Sequence, residues 1–245
     1  MKIVAIVQSR MGSTRLPGKS LVEIAGKPML QHVVERAKKS KHINEVIVAT
    51  TDQPDDDAIE EMGGKLGVEV FRGSENDVLD RFYQAAKKAS ADVIVRITAD
   101  CPLIDAAVSD MVIEFFMNEK ADYASNTQPP TFPDGLDTEV FTFAALEKAW
   151  NEAELKSERE HVTPYIWKNP NKFTVKNYVN SEDLSAMRWT VDSPADLAFV
   201  KELFSLGNPD GMEAILQIIR EHPELEKINE GIGRNEGYAK SLKED

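Results

Sequence analysis

One cysteine, Cys101, stands in a chain of 245 residues. No intrachain disulfide can form, and a reducing compartment, the cytoplasm, is the expected location. No apolar run approaches the roughly 20 residues of a membrane span. The apolar opening, Met1–Val7, gives way directly to a polar, glycine-bearing segment without a small-residue cleavage site, so it reads as a strand and not as a signal peptide. Positive charge is also scarce: 29 Lys and Arg against 42 Asp and Glu leave a net charge of −13. A surface that neutralises nucleic-acid phosphates needs the opposite balance, so neither DNA nor RNA is an expected partner, and nothing points to a membrane. A small anion needs only a local basic pocket. With 42% hydrophobic residues and 13 glycines, disorder and collagen-like structure are excluded. The length fits one domain without forcing two, and no internal repeat or flexible linker interrupts it.

What is present is an alternation of short apolar runs with longer amphipathic ones. Ile3–Val7 is a continuous β-branched run, the mark of a strand buried on both faces. Residues 45–50, 68–71 and 92–97 read as further strands. The segments 29–39, 54–66, 77–89 and 106–118 read as helices, with Gly63-Gly64 as an earlier end of the second and Ser74 as a cap for the third. Such alternation predicts an α/β fold, a Rossmann-like mostly parallel sheet with helices on both faces, and ligands at the carboxyl ends of its strands. The second half is less regular. Residues 137–141 and 173–179 read as strands. Ser157-Glu158-Arg159-Glu160 reads as a capping box opening a helix toward Trp167, which Pro164 kinks or breaks. Trp189–Val191 reads as a short strand, Ser193-Pro194-Ala195-Asp196 as a helix start, and the chain beyond Gly207 as largely helical.

The strongest chemical signal is Gln8-Ser9-Arg10-Met11-Gly12-Ser13-Thr14-Arg15-Leu16-Pro17-Gly18-Lys19, directly after the first strand. Exposed backbone N–H groups with little side-chain obstruction, together with fixed cations, suit a phosphate. A solvated basic loop is a competing reading. So is a Walker A loop, because the segment runs on as Gly18-Lys19-Ser20. A Walker A loop, however, has four residues between its glycines, whereas Gly12 and Gly18 have five, and Pro17 removes an N–H.

Ser13-Thr14-Arg15-Leu16-Pro17-Gly18-Lys19 after an apolar strand resembles the signature loop of sugar nucleotidyltransferases. The pattern is most similar to the cytidylyltransferases that activate 3-deoxy-manno-octulosonate and acylneuraminate sugars, and within them to the spore-coat polysaccharide biosynthesis F proteins. Four segments support it in the family's order: residues 71–81, 96–105, 134–141 and 188–197. The resemblance implies the nucleotide-diphospho-sugar transferase fold as a single domain over residues 1–245. Residues 1–120 would be its nucleotide-binding half, 121–205 its sugar-binding part and 206–245 a helical C-terminal extension.

The activity implied is transfer from CTP to a sugar or sugar acid, with release of pyrophosphate. Gln8, Arg10, Gly12, Ser13, Thr14, Arg15, Lys19, Ser74 and Arg81 would meet the nucleotide, with Arg72 a further candidate. Arg15, Lys19 and Asp100 would be catalytic, and Asp100 and Asp192 would hold Mg²⁺, which usually takes one or two carboxylates plus phosphate oxygens. An Asp at a strand end is also a common turn former, and a cap explains Asp192 equally well. Asp134, Asp137, Glu139, Arg159, His161 and Arg188 would face the sugar; a hydrogen-bonded structural role is the alternative for His161, Arg188 and Asp134. Cys101 is expected to be a small buried hydrophobe. Two other functions stand beside this one. A glycosyltransferase would use the Asp-x-Asp within Asp55-Asp56-Asp57, although acids at a helix start suit the dipole alone. A non-catalytic nucleotide-binding protein would keep the fold without the reaction. Resemblance to dimeric relatives suggests a homodimer; Phe115, Phe116, Tyr165 and Trp167 would supply its interface or else the core.

Overall fold

The computed structural model describes every residue except Thr14 and Asn235. Strand β1 (Ile3–Gln8) leads through a loop and a 3-10 turn (Lys19–Leu21) to a hairpin of β2 (Glu23–Ile24) and β3 (Lys27–Pro28), then to helix α1 (Met29–Ala37). Next come β4 (Glu45–Thr51), α2 (Asp57–Lys65), β5 (Glu69–Gly73), α3 (Val78–Lys88), β6 (Val93–Thr98) and α4 (Ala106–Glu119). The second half holds β7 (Tyr123–Ser125), β8 (Glu139–Thr142), α5 (Phe143–Glu152), α6 (Lys156–His161), α7 (Pro164–Trp167) and β9 (Val175–Asn177). Helices α8 (Pro194–Leu206), α9 (Met212–Glu221) and α10 (Glu236–Ser241) follow.

The main sheet has the order β5-β4-β1-β6-β8-β7-β9. Strands β5, β4, β1 and β6 are parallel, and β8 alone runs against its neighbours. The β-branched runs pair at the centre, with Ile6 opposite Ile47 on one side and Arg96 on the other. Alternate residues feed two cores. Ala5, Val7, Val48 and Val95 pack under α1, α2 and α4; Val4, Ile6, Ile47 and Ile94 pack under α3, α5 and α7. A third cluster, built on Trp189, Phe132, Phe199 and Leu203, joins α8 and α9 to the carboxyl edge of the sheet. The chain leaves β1 toward β4 and returns on the other side as β6. This reversal opens a crevice beyond the carboxyl ends of β1 and β6, where doubly wound sheets bind ligands.

Several local expectations change. Gly63-Gly64 does not end α2: a Cβ on Gly63 would lie 2.2 Å from Val70 Cγ2, so Gly63 lets helix and strand touch. The cap of α3 is Asp77, whose Oδ1 accepts from Asp80 N at 2.9 Å, while Ser74 Oγ accepts from Asp77 N at 3.2 Å. Ser157 does not cap α6; its hydroxyl donates to Asp245 Oδ2 at 2.7 Å, and the helix starts at Lys156. The break before Trp167 occurs at Val162, at φ 71°, and Pro164 opens the next helix instead. Trp189–Val191 is extended without joining a ladder: Trp189 N donates to Asp134 O at 2.6 Å and Val191 N to Asp100 O at 2.8 Å. Phe116 and Tyr165 are buried, Phe115 packs on Tyr178 and Trp167 on Tyr238, so the expectation of a homodimer draws nothing from these aromatics. Cys101 is buried, and burial beside Asp100 pushes its thiol well up, as suits an inert hydrophobe.

Candidate active site

Hydrogen bonds set the shape of the described residues of the loop after β1. Met11 O accepts from Ser13 N at 2.9 Å and Gly18 N at 3.1 Å, and Leu16 N donates to Ser13 Oγ at 3.2 Å. Gly18 turns the chain at φ +70°, a left-handed conformation that glycine adopts without penalty, and this aims Lys19 back into the crevice. One buried carboxylate anchors the loop. Asp56 accepts from Met11 N at 2.7 Å, Thr50 Oγ1 at 2.9 Å, Thr51 N at 3.0 Å and the Thr51 hydroxyl. These bonds outweigh burial and hold its carboxyl below the ordinary range. Asp57 instead pairs with Arg72 at 2.6 Å, which draws Arg72 to the outer side of α2. Of the Asp-x-Asp a glycosyltransferase would use, Asp57 is thus held in a surface ion pair, and Asp56 between the two acids serves as the loop's anchor. Thr14 lies outside the described residues.

At the floor of the crevice, Lys19 Nζ donates to Asp100 Oδ2 at 2.8 Å, Asp192 Oδ1 at 2.7 Å and Val191 O at 3.1 Å. Asp100 follows β6, and its carbonyl receives Val191 N and Thr190 Oγ1, which stitches the Asp192 segment alongside. Burial opposes charge on both partners, but the attraction of the pair prevails. Lys19 is raised above its ordinary value and the Asp100 carboxyl sits at about 2. Asp192 also meets Arg15 Nη2 at 3.0 Å and Arg188 Nη2 at 3.4 Å.

Arg10 and Arg15 extend toward solvent, at 48% and 42% exposure; among the described residues Arg10 has Glu75, at 4.0 Å, as its one ion-pair partner, and Arg15 meets Glu236 at 2.7 Å. Ser74 and Arg81 border the same side. Arg81 is 3% exposed; its Nη1 donates to Ser74 O at 2.6 Å, and its Nε is buried without a partner. Burial, reinforced by the charge of Arg10, lowers Arg81 to about 10.

The other wall is a lattice of ion pairs. Arg188, 9% exposed, donates to Asp134 Oδ2 at 2.8 Å and to Asp196 Oδ1 and Oδ2 at 2.9 and 3.2 Å. Arg234 reaches Asp137 Oδ1 at 2.5 Å and Phe132 O at 3.0 Å. Burial, with Asp134 and Glu139 nearby, pushes Asp137 up to about 7 against the pull of Arg234. Burial likewise raises Asp134. Gly135 lies between these two acids at φ +112°, and a Cβ there would come within 2.8 Å of Trp189 C and Thr190 N. Gln8 Oε1 accepts from Arg96 Nε at 3.0 Å, and Arg96 pairs with Glu139. Glu139 also accepts from Tyr123 OH at 2.7 Å and Thr163 Oγ1 at 2.5 Å.

The fold thus gathers Lys19, Asp100, Asp192 and Arg15 by direct contact, and adds Arg188, Asp134 and Asp137 through shared ion pairs. It does not bring Arg159 in. That guanidinium donates to Asp77 Oδ2 and to the carbonyls of Trp150 and Ala153, tying the start of α3 to α5 and α6. His161 lies farther out, 3.0 Å from Ser241 Oγ and edge-on to Tyr238; burial and the charge of Arg96 lower it to about 4. Sequence reasoning missed Arg96, Asp196 and Arg234. A charge inside the apolar run Val93-Ile94-Val95-Arg96-Ile97 was a readable signal. Arg234, almost 100 residues from its partner Asp137, had none.

Among the described residues no group of three or more His, Cys, Asp or Glu could hold a metal ion by itself. Asp100 and Asp192 nevertheless converge on one cation, the Lys19 ammonium, as a pair of hard oxygen donors. That donor set suits Mg²⁺, which draws its remaining ligands from phosphates and water.

Comparison with known proteins agrees with this geometry. The sequence pattern of the cytidylyltransferase family matches residues 4–224. An uncharacterized protein of Methanocaldococcus jannaschii is 44% identical, over 97% of this chain and 98% of its own. The spore coat polysaccharide biosynthesis protein SpsF of Bacillus subtilis is 34% identical over 82% of this chain and 86% of its own. The structure of a cytidylyltransferase from Leptospira borgpetersenii superposes with a TM-score of 0.89 at 38% identity, covering 96% of this chain and 100% of that one. Likeness of this extent, across both sequence and fold, has one reading: the chain belongs to the cytidylyltransferase family.

Proposed function

We propose that this cytidylyltransferase is a cytoplasmic, Mg²⁺-dependent enzyme that joins the CMP moiety of CTP to an oxygen of a sugar or sugar acid and releases pyrophosphate, in polysaccharide biosynthesis. The observation that carries the site assignment is the junction of Lys19 with Asp100 and Asp192 beyond β1 and β6. The name of the Bacillus subtilis relative supports the polysaccharide pathway, and the motif resemblance described above supports a sugar acid as acceptor.

Residues 1–120 would hold the nucleotide, 121–205 the acceptor, and 206–245 would close over the acceptor side; a homodimer is proposed from family resemblance alone. Asp100 and Asp192 would hold the metal, which supplies charge neutralisation and orientation of the triphosphate when bound. Gly12 would leave backbone open to the phosphates, whereas the Ser13 N–H is taken by Met11 O. Arg10, Arg15 and Lys19 would neutralise the departing pyrophosphate, with little covalent work left to the protein. Ser74 and Arg81 would border the nucleoside. The paired walls, Asp134 with Arg188 and Asp137 with Arg234, orient acceptor hydroxyls by fixed hydrogen bonds. Gln8 and Glu139 support that wall through Arg96.

Asp100→Asn should lower pyrophosphate release by at least about a hundredfold with an unchanged circular-dichroism spectrum. Near-normal turnover would remove Asp100 from the metal site. Melting shifts with CTP, UTP, ATP and GTP, each with Mg²⁺, test the base: a ligand at about 100 times its Kd stabilises by roughly 2.7 kcal/mol. A shift confined to CTP is expected.

A further inference from the structure

The Lys19 ammonium uses its full hydrogen-bonding capacity inside the crevice. Its three donors meet three oxygens: Asp100 Oδ2, Asp192 Oδ1 and Val191 O, at 2.8, 2.7 and 3.1 Å. Its side chain is 13% exposed, against 42% for Arg15 and 48% for Arg10. Among the loop cations it is the one withdrawn from the face where phosphates would arrive. The two carboxylates differ in what else serves them. Asp192 has Arg15 and Arg188 as further partners, whereas Asp100 has Lys19 as its one ion-pair partner among the described residues. A divalent ion bound at about 2.1 Å to oxygens of both carboxylates would stand between them, where the ammonium stands, and two cations so close would repel each other.

We infer that Lys19 is a placeholder cation, occupying the metal position until a triphosphate draws it away, so that metal and nucleotide enter together and the metal does not load first. This rests on the assignment of Asp100 and Asp192 as metal ligands. It assigns Lys19 a second role beyond meeting phosphate: it sets the order of assembly. The exchange adds one positive charge between the carboxylates, which the triphosphate that draws Lys19 away compensates. Lys19 leaves one carboxylate pair for the phosphate oxygens, and the divalent ion takes over the pair it leaves. The 3-10 turn of Lys19–Leu21, fixed by Gly18 N to Met11 O, keeps the lysine backbone in place during the exchange; only its four-carbon stem needs to swing.

Binding of free Mn²⁺ without nucleotide, followed by electron paramagnetic resonance, tests this. Wild-type protein should bind Mn²⁺ weakly, and Lys19→Met should bind it at least tenfold more tightly. Lys19→Arg, which keeps the charge, should stay weak. Equal affinity of wild type and Lys19→Met, or no binding to either, overturns the inference. The double variant Lys19→Met with Asp100→Asn should lose the gained site. If it binds as tightly as Lys19→Met, the metal lies elsewhere, and the assignment beneath the inference has failed instead. Should Lys19→Met not fold, wild-type protein still decides. The immobilised Lys19 ammonium is observable by nitrogen-resolved NMR. Mg²⁺ alone should leave its signal in place, and Mg²⁺ with CTP should shift or remove it. A signal lost to Mg²⁺ alone, or unmoved by both together, overturns the proposal.

Discussion

The two walls of the crevice handle charge in opposite ways. On the loop side, Arg10 and Arg15 stand about half exposed, and Arg10 has one carboxylate at 4.0 Å. On the opposite side, Arg188, Arg234 and Arg96 are each matched to carboxylates, and Asp196 is fully buried. On the loop side Arg10 has, among the described residues, a single distant carboxylate, and Arg15 shares Asp192 and Glu236 near the surface, so both can turn to an anion that a ligand brings. The opposite wall pairs each guanidinium with carboxylates of the fold, so it contributes shape and fixed hydrogen-bond directions. Exposed pairs contribute ~0–1 kcal/mol, whereas breaking a buried pair costs ~3–5 kcal/mol because the survivor is left uncompensated. Binding and stability are thus separated between the two walls.

The hardest test of that separation is Arg188→Met. It leaves buried Asp196 without its guanidinium and Asp134 with Arg234 alone, at 3.8 Å, and unfolding in urea should show a loss of about 3–5 kcal/mol. A loss below about 1 kcal/mol would erase the contrast. Arg10→Ala should behave inversely: stability within about 0.5 kcal/mol of wild type, but KM for CTP raised about tenfold or more, as for a lost charge-assisted hydrogen bond. An unchanged KM would place Arg10 outside the nucleotide site.

The smallest effect concerns pH at the outer rim. His161 is held neutral in the fold, with its value lowered from 6.5 to about 4. Between those values the unfolded chain binds a proton that the folded chain does not. Stability is therefore whole above about pH 6.5 and declines as pH falls toward 4. His161→Gln should flatten the decline in melts taken at pH 8 and pH 5; an identical slope would show that other groups carry it.

The legible parts of this molecule are those whose signal is local. Ile3–Val7 and residues 45–50 and 92–97 announce buried parallel strands because β-branched runs have few other fates. The loop was readable for a similar reason: glycines and cations crowd into a short stretch after a strand. Strand β7 is three residues, Tyr-Ala-Ser, too short to show a period, and it exists because β8 and β9 flank it. Helix α5 had a signal that was passed over: Thr142 caps it by accepting from Ala145 N at 3.0 Å, and Leu146 and Ala149 follow at helical spacing. Arg159 shows the converse error. It lies in a segment that reads as polar and substrate-facing, yet its partners are a helix cap and two carbonyls, fixed by tertiary packing. Pairings such as Arg234 with Asp137 are properties of the folded chain, and no window of sequence contains them.

The close approach at Gly135 has a consequence for how such an enzyme diversifies. With backbone 2.8 Å from where a Cβ would stand, and φ at +112°, the position admits glycine and no other residue without moving the strand of chain beside it. The acids on either side are restricted differently: Asp134 is held by Arg188 and Asp137 by Arg234, so a change at either acid leaves a guanidinium without that carboxylate. A descendant that takes up a new acceptor would have to change each acid together with its arginine, and would carry Gly135 unaltered. A genome survey for chains of this kind therefore gains a practical marker: where that glycine is gone, the two segments have parted and Asp134 is no longer set against Arg188.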